Sequence, residues 1–171
     1  SVSVNHNNVT IKRCLITVSA SDSFIINCSG SGLTIQDTEI NGGGSYTGVL
    51  CGDGSTLTRC NIYGFENCLN WNGNNSTLQD SYLHGFNATY PGAAPHYDGM
   101  ETEAGTTFIA NHNTIDQNRG DTSCLNFTSD NGTISDVTIT NNLLRGGSYC
   151  IYLYVRSGTG YPITGVTLDN N

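Results

Sequence analysis

A nine-residue block recurs along this chain. It reads VTIKRCLIT from Val9, LTIQDTEIN from Leu33, STLTRCNIY from Ser55 and STLQDSYLH from Ser76, then FIANHNTID from Phe108, VTITNNLLR from Val137 and VTLDNN from Val166. Successive starts lie 24, 22, 21, 32, 29 and 29 residues apart. A unit this short cannot bury its apolar side alone and does so only by stacking on its neighbours. The first three spacings define a basic coil, and the longer ones are that coil with loops inserted. Positions 1, 3 and 8 of the block are mostly apolar and positions 2 and 4 mostly polar, the period-two alternation of a strand with one buried face.

Position 6 reads Cys14, Thr38, Cys60, Ser81, Asn113, Asn142 and Asn171. A column of small, mostly polar side chains at one point of every repeat predicts an internal ladder at a turn, where stacked groups satisfy one another and the turn backbone. Position 5 reads Arg13, Asp37, Arg59 and Asp80 in four successive coils. Stacking would set these outward charges one rung apart with alternating sign, each contact worth about 0.2–1 kcal/mol. A second strand follows in each repeat, with inward pairs Ile26/Cys28, Val49/Cys51, Leu69/Trp71, Met100/Thr102, Leu125/Phe127 and Ile151/Leu153. Turns rich in Gly, Asn and Ser at 29–32, 52–54, 72–75 and 129–132 then lead into the next block.

These features predict an all-β fold, a right-handed parallel β-helix of about seven coils stacked about 4.8 Å apart, with the hand taken from the twist preference of crossovers. Gly, Asn and Thr, 21 of each, are poor helix material. A propeller blade needs about 40–45 residues per repeat. Residues 1–171 form one domain, with an inserted loop at 85–97. Residues 1–8 read as the end of a preceding coil, and 166–171 stop at position 6. Uncapped β-helix ends are edge strands, so a segment of a longer chain, a homo-oligomer or an end-to-end assembly is expected.

Charged residues make up 12% of the chain, with 14 acidic against 6 basic and a net charge of −8. Such a balance leaves no footprint for nucleic acid or an anionic membrane, and no apolar run reaches the ~18 residues of a membrane span.

The coils resemble the right-handed parallel β-helix proteins of the pectin-lyase-like superfamily. The stretches His96-Tyr97-Asp98-Gly99-Met100 and Asn111-His112-Asn113-Thr114-Ile115 are similar to coils in bacterial β-helix proteins and in phage tail fibres and tailspikes. The resemblance implies carbohydrate as partner, a polysaccharide or cell-surface glycan, and an extracellular or virion setting. Pectate lyases carry a WiDH-like stretch and RxPxxR, and polygalacturonases carry NTD, DD, GHG and RIK; none of these is present. The resemblance therefore implies a fold and a substrate class rather than an activity.

Loop 85–97 is the longest departure from the basic coil, and function favours loops on rigid scaffolds. It carries Tyr90, His96 and Tyr97, with His84 at its root. Glu101 and Glu103 point outward by alternation, Asn126 should neighbour Glu101 in the next coil, and position 9 aligns His84, Asp116 and Arg145. The catalytic candidates are His96, Glu101, Glu103 and Arg145; the binding candidates are His84, Tyr90, Tyr97, Asp116 and Asn126. Glu101 and Glu103 could serve acid–base hydrolysis, or with Asp98 hold Ca²⁺; no other cofactor is expected. A lyase or epimerase would use His96 or Tyr97 as base and Arg145 to neutralise a uronate carboxyl. The plainer alternative is a solvated polar face, with Asp98 satisfying turn amides.

Trp71 falls on an inward position, so the outward Tyr63, Tyr82, Tyr152 and Tyr154 are better stacking surfaces for a sugar. The seven cysteines include no CxxC and read as small buried free thiols. Cys124 and Cys150 share a column in adjacent coils. The leading functional expectation is a structural, carbohydrate-binding module of the tail-fibre or spike type. The alternatives are a polysaccharide lyase, epimerase or hydrolase at the groove beside loop 85–97, and a purely structural fibre-forming subunit.

Overall fold

The computed structural model describes residues 1–158 and 160–171. The chain is all-β and winds as a parallel solenoid of about seven turns with three faces. The first face stacks the strands Thr10–Lys12, Thr34–Gln36, Thr56–Thr58, Ser76–Gln79, Gly105–Asn111, Ile134–Thr140 and Ile163–Asp169. The second carries Leu15–Thr17, 39–41, 61–63, Tyr82–His84, Thr114–Gln117 and Leu143–Gly146. The third carries Val2–Val4, Phe24–Cys28, 47–51, 67–71, Asp98–Thr102, Ser123–Thr128 and Tyr149–Tyr154. Each strand pairs in parallel with its equivalents one coil before and after.

The repeated block is not the single strand its alternation predicts. Its fifth residue takes a positive φ in every repeat: 55° at Arg13, 52° at Asp37, Arg59 and Asp80, 56° at His112, 58° at Asn141 and 52° at Asn170. That left-handed residue turns the chain from the first face to the second. Asn and Asp accept the conformation more readily than Arg or His, for which it costs about 1–2 kcal/mol.

The bend throws position 5 outward and position 6 inward. Inside, the backbone N–H of Cys14 donates to Thr38 Oγ1 at 3.3 Å, that of Cys60 to Ser81 Oγ at 3.0 Å, and that of Ser81 to Asn113 Oδ1 at 2.9 Å. Asn142 Nδ2 donates to Asn171 Oδ1 at 2.8 Å and to the Ala110 carbonyl at 2.9 Å. Outside, the alternating charges form separate pairs rather than a continuous row. Arg59 grips Asp37 at 2.6 and 3.2 Å, while Asp80 turns the other way to His112 Nδ1 at 2.6 Å. Arg13 forms no ion pair among the described residues. The Arg59 guanidinium holds the Asp37 carboxyl below the usual carboxylate range.

Ile35, Leu57, Leu78, Ile40, Ile62 and Leu83 are fully buried in the core. Val49, Leu69, Met100 and Leu125 form an inward column of the third face. Trp71 belongs to the core too, stacked on Phe108 at 5.3 Å and 8°. On the third face the alternation slips by one residue. Ile25 and Ile26, Cys68 and Leu69, and Cys124 and Leu125 are consecutive residues that both lie in the core. The slip leaves the residues on either side of each pair, such as Ser123 and Asn126, together on the outside.

Gly30, Gly52 and Gly73 stack at the turn between third and first faces, where a Cβ on Gly52 would stand 2.2 Å from the Gly30 carbonyl oxygen. The seven cysteines are free; Cys14 and Cys150 are exposed, and the other five are buried.

Candidate functional site

The outward side of the third face gathers carboxyl groups. In-register pairing sets Glu101 between Asn70 and Asn126, and Asp98 between Asn67 and Ser123. Glu66 and Asp98 are buried at 5% and 1% exposure, and Glu101 is half-buried. Thr102, fully buried, ends the strand pointing into the core; Glu101 precedes it on the outer side, and Glu103 follows it in the bend after the strand.

Asp98 accepts from the Ser123 backbone N–H at 3.0 Å, Ser123 Oγ at 2.6 Å and Asn126 Nδ2 at 3.1 Å. Burial nevertheless pushes its carboxyl up to about 6, with those hydrogen bonds opposing the rise. Glu101 accepts from Asn67 Nδ2 at 2.9 Å. Burial first, and then the charges of Asp98, Glu103, Glu66 and Asp130, raise it to about 7. Glu103 is held by the side-chain amide of Asn131.

Loop 85–97 packs beside this cluster and is clamped from several sides. Phe86 is buried, the Asn87 N–H donates to the Phe65 carbonyl at 2.9 Å, and the Thr89 N–H donates to the Gly44 carbonyl at 2.9 Å. The Arg119 guanidinium donates to the Phe86 carbonyl at 2.6 Å and to Asn87 Oδ1 at 3.0 Å, and lies 5.4 Å from the centre of the Tyr97 ring. Gln117 Nε2 and Thr122 Oγ1 both donate to the Tyr97 carbonyl, at 2.8 and 2.6 Å. The Tyr90 hydroxyl donates to Glu66 and its ring packs edge-on against Tyr46 at 5.9 Å. Burial and the neighbouring carboxylates raise both phenols.

The sequence-derived candidates divide between two faces. Tyr90, Tyr97, His96, Glu101, Glu103 and Asn126 come together on the third face. The His96 side chain is exposed, and its backbone N–H donates to Glu66 at 3.2 Å. His84, Asp116 and Arg145 lie instead on the second face. There His84 Nε2 bonds Asn61 Oδ1 at 2.9 Å, and its ring stacks on Tyr63 and Tyr82 at 5.0 and 4.0 Å. Burial holds the His84 imidazole below its ordinary value. Arg145 makes a two-point pair with Asp116 at 3.1 and 2.6 Å. Arg145 is therefore committed to Asp116 rather than beside Glu101, where a uronate neutraliser would stand.

Glu66, Arg119 and Asn67 were not among the candidates. Glu66 lies in a run of consecutive buried residues, 64–69, where alternation carries no signal. Among the described residues, no three His, Cys, Asp or Glu side chains are grouped as a metal ion would require. Asp98, Glu101 and Glu103 each have their own amide partner.

A groove of about 510 Å³ follows the bend between the first and second faces. Along it, Arg59 is engaged with Asp37, and Asp80 with His112 Nδ1, as described above.

Searches of curated proteins and of solved structures found no match. The family description "right handed beta helix region" matches residues 1–171, the whole of the sequence. Parallel register on three faces and a stacked ladder agree with that match, and the chain belongs to the right-handed β-helix family.

Proposed function

We propose that this β-helix is a glycan-recognition module that holds a neutral polysaccharide against the outer side of its third face, and that Glu101 donates a proton to the bound chain. The observation carrying the proposal is the placement of Glu101. It is a half-buried carboxyl among Asp98, Glu66 and Glu103, and burial together with their charges pushes it up to about 7. A carboxyl protonated near neutrality is suited to protonating a glycosidic oxygen. Asp98 accepts three hydrogen bonds against one for Glu101, so it ionises first and its charge holds the proton on Glu101. Glu103, in the bend after the strand, is the second carboxylate that hydrolysis requires.

The negative field of the cluster repels a uronate, which favours a neutral chain over the acidic substrate of a lyase or epimerase. In this reading the module works outside the cell or on a virion, within a fibre- or spike-like assembly. The support for that setting is the likeness of residues 96–100 and 111–115 to tail-fibre and tailspike coils.

The test is to incubate the folded chain with neutral and acidic polysaccharides and to follow new reducing ends and unsaturated uronates. New ends from neutral polymers, lost in Glu101→Gln, are expected. Binding without new ends would reduce the proposal to recognition alone. Unsaturated uronates would replace it with a lyase.

A further inference from the structure

Beside the carboxyl cluster, a cleft of about 230 Å³ opens between Tyr149, Tyr152, Asn126, Ser148, Thr122 and Asp121. One wall is aromatic, a packed row in which Tyr152 lies between Tyr149 and Tyr154, the latter stacked on it at 5.6 Å. The Tyr149 and Tyr152 rings lie 4.9 Å apart at 32°, and Tyr149 is 55% exposed. The floor is Asn126, which is 8% exposed. Its Nδ2 is used by Asp98, and its Oδ1 is buried with no hydrogen-bond partner. Because Asp98 accepts, the orientation of this amide is set, and the oxygen is the end left over. A buried acceptor without a donor is costly to leave unmade.

We propose that this cleft is a subsite for one neutral sugar ring, stacked on the exposed Tyr149 ring that Tyr152 backs and donating a hydroxyl or acetamido N–H to Asn126 Oδ1. The inference rests on the glycan reading above and adds where the chain lies and which sugars it admits. The weakly positive C–H face of a pyranose suits the negative face of a tyrosine ring. The cleft has room for one ring rather than several. Asp121 on its rim, with Asp98 and Glu101 next to its floor, gives it a negative field that disfavours a carboxylated sugar.

Register gives the direction. Tyr152 pairs with Asn126, and Asn126 with Glu101. Two rungs of about 4.8 Å each therefore separate the aromatic wall from the proton donor. A chain anchored on that wall runs along the solenoid axis toward Glu101, one rung after another.

The test is calorimetric titration of the full chain with neutral hexasaccharides (β-1,4-glucan, β-1,3-glucan, α-1,4-glucan and chitin types) and with hexagalacturonate. Tyr149→Ala, Tyr152→Ala and, on the second face, the exposed Leu143→Ala are titrated in parallel. The expected result is binding of at least one neutral hexasaccharide, weakened tenfold or more in both Tyr149→Ala and Tyr152→Ala and unchanged in Leu143→Ala. Unaltered spectra in the far ultraviolet would exclude misfolding of these surface variants. If the parent binds a neutral hexasaccharide and the two cleft variants bind it equally well, the subsite is refuted while the glycan reading stands. If the parent binds none of the neutral hexasaccharides, the glycan reading falls and the subsite with it. If hexagalacturonate binds as tightly as the best neutral probe, the charge argument is overturned.

Discussion

The side-chain amide of Asn113 donates to Asn142 Oδ1 one coil along, at 2.9 Å. Asn113 Nδ2 also serves the Leu78 carbonyl at 3.0 Å, and its Oδ1 takes the backbone N–H of Ser81 at 2.9 Å. One buried side chain thus ties three coils together. Asn113→Ala leaves the Ser81 N–H and the Leu78 carbonyl without this partner, at a cost of about 1–3 kcal/mol. Asn113→Thr keeps an acceptor of the kind Thr38 supplies elsewhere in the column and should lose less. Urea midpoints of the three proteins measure the order; an alanine variant as stable as the parent would mean that the ladder contributes nothing.

Ionisation of the carboxyl cluster should weaken the fold. Asp98 and Glu101 titrate at about 6 and about 7 when folded, whereas free carboxyls release their protons near pH 4. The folded chain therefore binds more protons than the unfolded one in between. The contribution of these two groups falls as pH rises from about 4 to about 7, with no loss below that window and the full loss above it. Exposed pairs such as Arg59–Asp37 titrate in the opposite sense, so the comparison is made between variants. Glu101→Gln and Asp98→Asn should gain stability relative to the parent between pH 4 and 8. Parallel profiles across that range would mean that neither carboxyl is raised.

The stacked turn glycines are a steric requirement. A Cβ on Gly30 would stand 2.4 Å from the His6 carbonyl oxygen, and one on Gly73 would stand 2.2 Å from the Gly52 carbonyl carbon. Both obstacles are backbone of the preceding coil, which cannot swing aside as a side chain can. Gly52→Ala is expected to cost about 1–3 kcal/mol, the range of an overpacked core. Thermal unfolding of that variant checks it, and an unchanged transition would show that the turns stack loosely.

Thiol chemistry should separate the cysteines. Burial pushes Cys60 and Cys124 up to about 11, and Cys51 and Cys68 further still. Only the thiolate reacts. An aromatic disulfide reagent at pH 8 should modify Cys14 and Cys150 first and reach the buried five only on unfolding. A fast phase larger than two thiols would mean that the coils open readily.

Much of the fold was legible because a solenoid repeats its own backbone. Position 6 announced the ladder, and the inward pairs of the third face fell where alternation put them through Leu125/Phe127; in the last coil, Leu153 is 40% exposed. The bend at position 5 was not legible. Asn141 and Asn170 carry a turn signal, but Arg13, Arg59 and His112 do not, and stacking holds them at positive φ against their preference.

The site was legible in part. Alternation from Thr102 gave the outward Glu101 and Glu103, and spacing gave Asn126. Alternation from Met100 puts Asp98 inside, yet the slip at Gly99 and Met100 sets it beside Ser123 and Asn126 on the outer side. Arg145 and His84 belong to a face that the nine-residue block, read as one strand, did not separate from the first.

The ladders and strand pairings join each coil only to those next to it, and their hydrogen bonds run along the solenoid axis. This makes the molecule mechanically anisotropic. Tension along the axis loads the bonds of one rung and opens the weakest junction, so the stack parts coil by coil. Tension along the strands shears every rung at once. A glycan held lengthwise, as proposed, would bridge neighbouring coils and act as a splint across their junctions.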